Sequence, residues 1–446
     1  MILRMMIGMA ISGVGLLAIT RILGPSVYGV YGTAFATWFL VQNLAELNLD
    51  VWLVRRPTGQ DIEASGTAQT ILLCTSAVGA LALYLAAPLA SSITSLPEVE
   101  GALRMMCPAL LLAGLGQVPL SVLERGFNFR AVGVVELIGQ AAFNVAAVLL
   151  ALNDWGLVSL TIALNIQQFV LLVGFVSAYG GIPRLSFDRT LASNAIRFGL
   201  AATGSSIVEN GRVLVIQLVV ARFGGATGAG VYSLCMRIIE QTAFLRQIIY
   251  RLATPIFGRL RDERSRLQRT VADSLHVQAM AAGLPPMVIC WVAPILVPVV
   301  FGPEWSAAAD LLPLLLPTFL LLCTFQLYQH GLLALDRSFT VLISNLGYLI
   351  ALTISLWFLV AAFGTPGVAI SEAIASLALP GLALALRSTL LLRPAASLIA
   401  IVVGITVAGL AAITTWWAVL ALLPPLAFPK NRRLILDSTS SLISVR

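Results

Sequence analysis

Apolar runs long enough to cross a bilayer recur along this whole chain, and very few folds can accommodate that. A transmembrane helix needs roughly 20 predominantly apolar residues, and stretches such as 66–90, 131–152 and 340–362 supply them. Of 446 residues, 59% are hydrophobic and only 11% charged, and the mean hydropathy is +0.95. A soluble core cannot bury so much apolar surface, so the chain reads as an all-α polytopic membrane protein.

Twelve spans follow from the runs and the turn residues between them: 3–20, 28–52, 66–90, 102–123, 131–152, 156–178, 198–221, 228–250, 273–300, 308–334, 340–362 and 366–390. A further hydrophobic run covers 396–423 and precedes a basic tail. Gly24-Pro25, Asn153-Asp154-Trp155-Gly156, Phe301-Gly302-Pro303 and Gly364-Thr365-Pro366-Gly367 mark turns. With the amino terminus in the cytoplasm, Arg4, Arg125, Arg130, Arg184, Arg189, Arg197, the Arg246–Arg269 cluster and Arg337 lie inside, and only Arg21, Arg104 and Arg222 lie outside. This asymmetry accounts for the net charge of +7 without a nucleic-acid partner. A thirteenth crossing would put Lys430, Arg432 and Arg433 outside, against the rule, so that run is expected to be re-entrant, interfacial or missing a partner helix. No small-residue cleavage site follows the first span, which is expected to serve as its own insertion signal.

A short stretch occurs twice. Arg21, Gly24, Val30 and Tyr31 return as Arg222, Gly225, Val231 and Tyr232, displaced by 201 positions. Pro97-Glu98 with Ala102 returns as Pro303-Glu304 with Ala308, and Leu123-Glu124-Arg125-Gly126-Phe127 as Leu335-Asp336-Arg337-Ser338-Phe339. Each match alone could arise from composition; three in order, at equivalent topological positions, indicate duplication. Six crossings return the chain to the same side, so spans 1–6 and 7–12 form two parallel six-helix bundles. The expected domains are a lobe of residues 1–180, a lobe of residues 181–395, and the hydrophobic segment and basic tail of residues 396–446.

No soluble catalytic pattern is present. His276 and His330 lie in different spans, and Cys74, Cys107, Cys235, Cys290 and Cys323 lie in apolar segments without paired spacing, so no disulfide framework, metal site or cofactor is expected. The informative residues are ionisable groups inside spans, because a charge at the bilayer centre costs about 2.5–3.5 kcal/mol on insertion scales. Span 7 carries Glu209 and Arg212 and span 8 carries Arg237 and Glu240. At 1.5 Å per residue the two arginines fall at one depth and the two glutamates slightly deeper. Ser205, Glu209 and Arg212 follow i, i+4, i+7 spacing, and Ser233, Arg237, Glu240 and Gln247 continue it to i+14, so each helix bears one polar stripe. Two readings stay open: both stripes line one cavity, or Glu209 with Arg212 and Arg237 with Glu240 are self-neutralising pairs. The first-half equivalents, Gly8, Ile11, Ala36 and Phe39, carry no charge.

An arginine pair in a wet cavity suits a phosphate or pyrophosphate. Glu46, Asp50, Glu136 and Glu372 are candidates for coupling a cation or proton, or for capping helix ends; Gln42 and Asn43 accompany the first two, while Gln140 and Asn144 extend a line from Glu136. The Arg-rich connection from Arg251 to Thr270 is expected to meet anionic headgroups.

Arg21-Ile22-Leu23-Gly24-Pro25 with Tyr28-Gly29, Leu123–Arg130, Pro183–Asp188, Arg197-Phe198-Gly199-Leu200 and Phe301-Gly302-Pro303-Glu304-Trp305 resemble the polysaccharide transporter, or Wzx-type oligosaccharide flippase, family of the multidrug/oligosaccharidyl-lipid/polysaccharide exporter superfamily. The resemblance runs through about residue 395. It implies a V-shaped alternating-access transporter in the bacterial inner membrane, moving a lipid-linked oligosaccharide from the cytoplasmic to the outer leaflet alongside glycosyltransferases and a polymerase. It also implies that cavity cations meet the lipid diphosphate, for which Arg212 and Arg237 are the candidates, with Glu209 and Glu240 beside them. Rival expectations are a cation-coupled multidrug exporter of the same architecture and an integral membrane glycosyltransferase, the latter disfavoured by short outer loops.

Overall fold

In the computed structural model, described for residues 2–54, 61–181, 183–243, 245–260, 263–335, 337–377 and 379, the described residues form twelve helices: α1 (Ile2–Glu46), α2 (Leu49–Val54), α3 (Asp61–Thr94), α4 (Glu98–Arg125), α5 (Phe129–Ala151), α6 (Leu157–Tyr179), α7 (Arg189–Thr242), α8 (Leu245–Arg259), α9 (Arg264–Phe301), α10 (Ser306–Ala334), α11 (Ser338–Phe363) and α12 (Gly367–Ser376). A 3-10 turn at Pro303–Trp305 leads into α10. Eight helices among the described residues are long and apolar enough to cross a membrane. Two of the eight candidate spans come from α1 and α7, each a pair of helices merged across a kink at Gly24 or Gly225. The expected spans 1 and 2 are thus the arms of α1, and spans 7 and 8 the arms of α7. The run at 396–423 and the basic tail lie outside the described residues.

Three expectations about local structure change. Gly24-Pro25 is not an open loop: one non-helical residue, Gly24 (φ 70°, ψ 175°), turns the chain and helix resumes at once. Span 2 stops at Glu46 because Leu47 and Asn48 both take positive φ, 49° and 48°. The connection from Arg251 to Thr270 is helical for most of its length, in α8 and the first turns of α9. Arginine, leucine and glutamine are strong helix formers, and positive charge sets sidedness without preventing a helix.

The repeated stretch has a clear structural consequence. Gly24 and Gly225 take nearly the same conformation, φ 70°, ψ 175° and φ 67°, ψ −172°, a region open essentially to glycine alone. Past each kink the two helices cross at contact distance. A Cβ built on Gly29 would fall 1.8 Å from the Ala226 carbonyl oxygen, and one on Gly230 would fall 1.9 Å from that of Pro25. Gly29 and Gly230 are equivalent positions of the repeat, as are Pro25 and Ala226, so the contact is reciprocal about a local pseudo-two-fold axis. Small residues at such a crossing let backbones approach and dispersion hold them, since lipid supplies no hydrophobic drive between helices.

Each kink is also pinned by the turn belonging to the other half. Trp305, 1% exposed, donates its indole Nε1–H to the Thr20 carbonyl at 3.2 Å and meets Tyr28 edge-on with ring centroids 5.9 Å apart. Arg222 reaches Ser95 in the turn before α4. Gln217 adds polar glue, donating to Ser233 Oγ at 3.0 Å and the Ala229 carbonyl at 3.3 Å and approaching Thr33 Oγ1 at 3.4 Å.

The chain divides into two units: residues 1–233, 300–305 and 352–368, and residues 234–299, 306–351 and 369–446. In the first, α4 is central: Val99, Ala102, Leu103, Met106, Ala109 and Leu110 interlock with Val30, Ala34 and Trp38 of α1 and Leu83 of α3. The outward side of α3 is equally apolar: Val78, Leu81, Leu85 and Leu89 are exposed, Leu85 at 67%, the pattern of a helix solvated by lipid. In the second unit α10 buries Leu312, Leu315, Phe319, Cys323 and Leu327, and α8 packs against it.

A linker joins α6 to α7 and is strapped to α3. Thr70 Oγ1 donates to the Ser186 carbonyl at 2.8 Å, and the Asp188 backbone N–H to Thr67 Oγ1 at 3.3 Å. Asp188 then caps α7, accepting from the Leu191 N–H at 2.8 Å and from the Thr190 hydroxyl, and these bonds hold its carboxyl below the ordinary value of 3.8.

Two predictions follow from these contacts. Gly29→Leu and Gly230→Leu force a side chain onto a carbonyl that belongs to helix backbone; each is expected to cost about 1–3 kcal/mol or more and to lower the unfolding temperature in detergent. Gly101→Ala, where a Cβ would meet nothing within 4 Å, should leave it unchanged or higher. The Asp188 cap is fully present above pH 3.8, where the unfolded carboxyl is ionised too, and is lost as pH falls through the lower folded value. Asp188→Asn retains an acceptor oxygen without that titration, so its thermal stability should vary less across that acid range than the wild type's.

Candidate functional site

In the first unit the carboxylates at the inner end of α1 lie close together. Glu46 accepts from Gln42 Nε2 at 2.8 Å, and Asp50, in the first turn of α2, is within electrostatic reach of Glu46. Both are half-buried. Along α5 the expected polar line divides: Glu136 is exposed, whereas Asn144 donates to the Ile11 carbonyl of α1 at 3.2 Å, and a Cβ on Gly15 would fall 2.0 Å from its Oδ1. Asn144 therefore ties α5 to α1, a contact of a type worth roughly 0.6–2 kcal/mol between membrane helices.

The central charges are distributed along α7. Arg212 is half-buried on its first arm, in the first unit; Arg237 and Glu240 are exposed on its second arm, in the second unit, one helical turn apart. Glu209 is helical, and its side chain, like those of Ser205, Gln247 and His276, lies outside the described set. Ser233, expected to begin the second polar stripe, instead accepts from Gln217 and belongs to the helix crossing. Glu372 is 2% exposed and accepts from Thr318 Oγ1 of α10 at 2.9 Å. That burial, on α12 against α10, holds the Glu372 carboxylate inside the second unit.

A polar cluster in the second unit escapes a reading of the sequence alone. Gln278 of α9, 2% exposed, donates through Nε2 to the Cys323 carbonyl at 2.6 Å and to Tyr250 Oη at 2.9 Å. Tyr250 Oη lies 2.9 Å from Gln326 Oε1 and 3.0 Å from the Cys323 carbonyl, and its ring is 5.2 Å from that of His330. The Arg246 guanidinium stands 5.0 Å from the Phe319 ring centroid and 5.7 Å from that of Tyr250. By sequence Arg246 falls among the charges that set topology; uncharged Gln278, Gln326 and Tyr250, in or beside apolar runs, are the signal that could have found the cluster. Among the described residues no three histidine, cysteine or carboxylate side chains gather in a way that would hold a metal ion, and none of the five cysteines is in a disulfide.

Residues 18–310 match a family described as polysaccharide biosynthesis protein. The succinoglycan biosynthesis transport protein ExoT of Rhizobium meliloti (strain 1021) is 30% identical over 305 residues, covering 67% of this chain and 60% of ExoT. The lipopolysaccharide biosynthesis protein WzxC of Escherichia coli (strain K12) is 24% identical over 312 residues, covering 68% of this chain and 63% of WzxC. The chain thus spans about three fifths of the length of these relatives. Among solved structures, the lipid II flippase MurJ in an inward closed conformation aligns with a TM-score of 0.72 at 12% identity, over 100% of this chain and 98% of MurJ. An inward-facing multidrug resistance MATE family transporter of the MOP superfamily aligns with a TM-score of 0.65 at 16% identity, over 88% of this chain and 99% of that one. At those identities the likeness concerns the fold. The family match covers well over half of the chain, and its helices carry the fold of MurJ and the MATE proteins: this multi-pass membrane protein belongs to the polysaccharide biosynthesis protein family.

Proposed function

We propose that the protein is a flippase that carries a polyprenyl-pyrophosphate-linked oligosaccharide from the cytoplasmic to the outer leaflet of a bacterial inner membrane. The observation that carries this reading is the membership of a polysaccharide biosynthesis family on a transporter fold, together with midspan arginines. ExoT and WzxC are named for transport or biosynthesis of surface polysaccharides, and MurJ for flipping lipid II.

In this mechanism the charged headgroup leaves water for a polar path lined by membrane helices, while the polyprenyl tail stays in the bilayer. Arg212 and Arg237 supply the positive field for the diphosphate; a guanidinium offers paired N–H donors that match phosphate oxygens, where lysine offers a point charge. Glu209 and Glu240 temper that field so that the headgroup can leave again. Glu372, buried against Thr318, and the Glu46–Asp50 pair are proposed to couple transport to a cation or proton, since a carboxylate inside a membrane helix bundle is costly unless neutralised. Glu136 is proposed for the same role. The reading involves no bond-making step and so no catalyst, and the glycosyltransferases and polymerase that make and use the glycan are its expected partners.

Reconstitution into liposomes with a fluorescent polyprenyl-pyrophosphate oligosaccharide tests the reading. Wild type should translocate it, and Arg212→Ala with Arg237→Ala should slow transfer at least tenfold, with Arg→Lys at both positions recovering only part. Glu372→Gln should abolish any dependence of the rate on an imposed ion gradient. A wild type that leaves the lipid in place yet drives cation-dependent efflux of organic dyes would replace the flippase reading with that of a multidrug exporter.

A further inference from the structure

The packing of α5 against α6 opens a groove on the outside of the first unit, to which both helices belong. They run antiparallel and are brought close by two glycines: a Cβ on Gly174 would fall 2.5 Å from Val135 Cγ1, and one on Gly139 would fall 2.7 Å from Leu171 Cδ2. Gly174 supplies no side chain to the seam, and larger neighbours stand to either side of it. Between them lies a cavity of about 250 Å³ lined by Val135, Ile138, Phe169, Val170, Val173 and Gly174. Its mouth faces outward, since Ile138, Phe169 and Val173 are exposed. No lining side chain is polar, so the cavity lacks the side-chain partners by which water is usually held. The volume falls below the roughly 300–1,000 Å³ of a pocket for a drug-sized molecule. Open along one side, it has room for a length of hydrocarbon chain and not for a whole ligand.

One end of the groove is cationic. Arg130, Val134 and Ile138 follow i, i+4, i+8 spacing and share a face of α5, and all three are exposed. The register set by the two glycines, continued toward the start of α5, brings Arg130 to the level of Tyr179, the last residue of α6. Tyrosine is enriched where membrane meets water, and with the amino terminus inside, that end of both helices is cytoplasmic. At 1.5 Å per residue Ile138 lies about 12 Å from Arg130 along α5, and Phe169 about 15 Å from Tyr179 along α6. Half of a hydrocarbon core of about 30 Å is about 15 Å, so the groove occupies the depth of the inner leaflet's acyl chains and Arg130 that of its headgroups. We propose that the α5–α6 groove binds an acyl chain of an anionic phospholipid of the cytoplasmic leaflet, whose phosphate pairs with Arg130. A guanidinium offers paired donors to phosphate oxygens, and positive charge at the membrane surface selects an anionic headgroup over a zwitterionic one. A polyprenyl pyrophosphate is anionic too, but the flippase reading places its headgroup at arginines in midspan, whereas the charge beside this groove stands at the surface. The lipid site goes beyond that reading and does not depend on it.

The test uses the full-length protein in phosphatidylcholine nanodiscs, each preparation holding a trace of one lipid with a photoactivatable diazirine on its acyl chain, and maps the labelled residues by mass spectrometry. Phosphatidylglycerol and phosphatidylcholine with identical chains are compared. In wild type, phosphatidylglycerol should label residues 135–138 and 169–174 about fivefold more strongly than phosphatidylcholine does, the preference that one basic residue near the surface gives. On the exposed face of α3, at Val78, Leu81, Leu85 and Leu89, the two lipids should label equally. Arg130→Gln should bring the ratio in the groove below about twofold, and Arg130→Lys should keep most of it. Val173→Trp and Ile138→Trp place bulk at the mouth of the groove, at positions where it meets lipid and not core; each should cut labelling of the remaining groove residues at least threefold relative to α3. Monodisperse elution and an unchanged unfolding temperature identify the variants that remain folded. The same lipid ratio in the groove as on α3 would overturn the site, as would a ratio that survives Arg130→Gln or labelling that survives both tryptophan variants. A diazirine-bearing polyprenyl phosphate that labels the groove more strongly than phosphatidylglycerol would overturn the phospholipid assignment and give the groove to a carrier lipid.

Discussion

Two glycines that occupy the same position in two copies of one short stretch let a pair of helices meet backbone to backbone. Gly29 sits against the carbonyl of Ala226, and Gly230 against that of Pro25, each just past a kink only glycine adopts. Inside a bilayer no hydrophobic effect draws helices together, so contact distance, dispersion and a few interhelical hydrogen bonds decide which helices pair. Here all three act at one place: bare backbones meet, Gln217 ties the two arms of α7 together and reaches Thr33 of α1, and Trp305 fills the space beside the first kink. The kinks inside α1 and α7, from which the second arm of each helix departs, lie beside this crossing.

Around that crossing the bilayer imposes a second constraint, which is that polar groups must be satisfied within the protein or be used. Many of the hydroxyl groups in the spans turn back on their own helix, as Thr20, Thr33 and Thr94 do. Others bridge helices, as Thr75 does to Ala45, and the Asn144 amide likewise reaches Ile11. A few buried polar atoms, among them Trp38 Nε1, Gln69 Oε1, Arg246 Nε and Gln278 Oε1, make no hydrogen bond among the described residues.

Much of the architecture is legible in the residues. Hydropathy period and length identify the helices, because lipid allows little else to span it, and the 201-residue displacement pairs Gly24 with Gly225 from the chain alone. Loops are less legible. Gly24-Pro25 looks like an open turn and is a single-residue kink, and the arginine-rich connection is mostly helical, in α8 and the first turns of α9. Charge density reports the side of the membrane, and says nothing about whether the backbone is helical. Ser233 looks like part of a polar stripe because helical spacing records a face, while the partner on that face, Gln217, lies on the other side of the kink.

The sequence by itself determined that this is a duplicated bundle of membrane helices, since apolar length, arginine asymmetry and an ordered repeat are properties of the chain alone. Its arginines in the middle of spans 7 and 8 are visible for the same reason: a charge in an apolar run stands out from its neighbours in the chain. Only the tertiary structure decided what the buried polar groups do. Asn144 became an interhelical tie, Glu372 a buried acceptor for Thr318, and Arg246 the holder of an unsatisfied donor beside Gln278. Hydrogen-bond satisfaction depends on what lies across the gap from a side chain, and in this protein those neighbours come from helices distant in the chain.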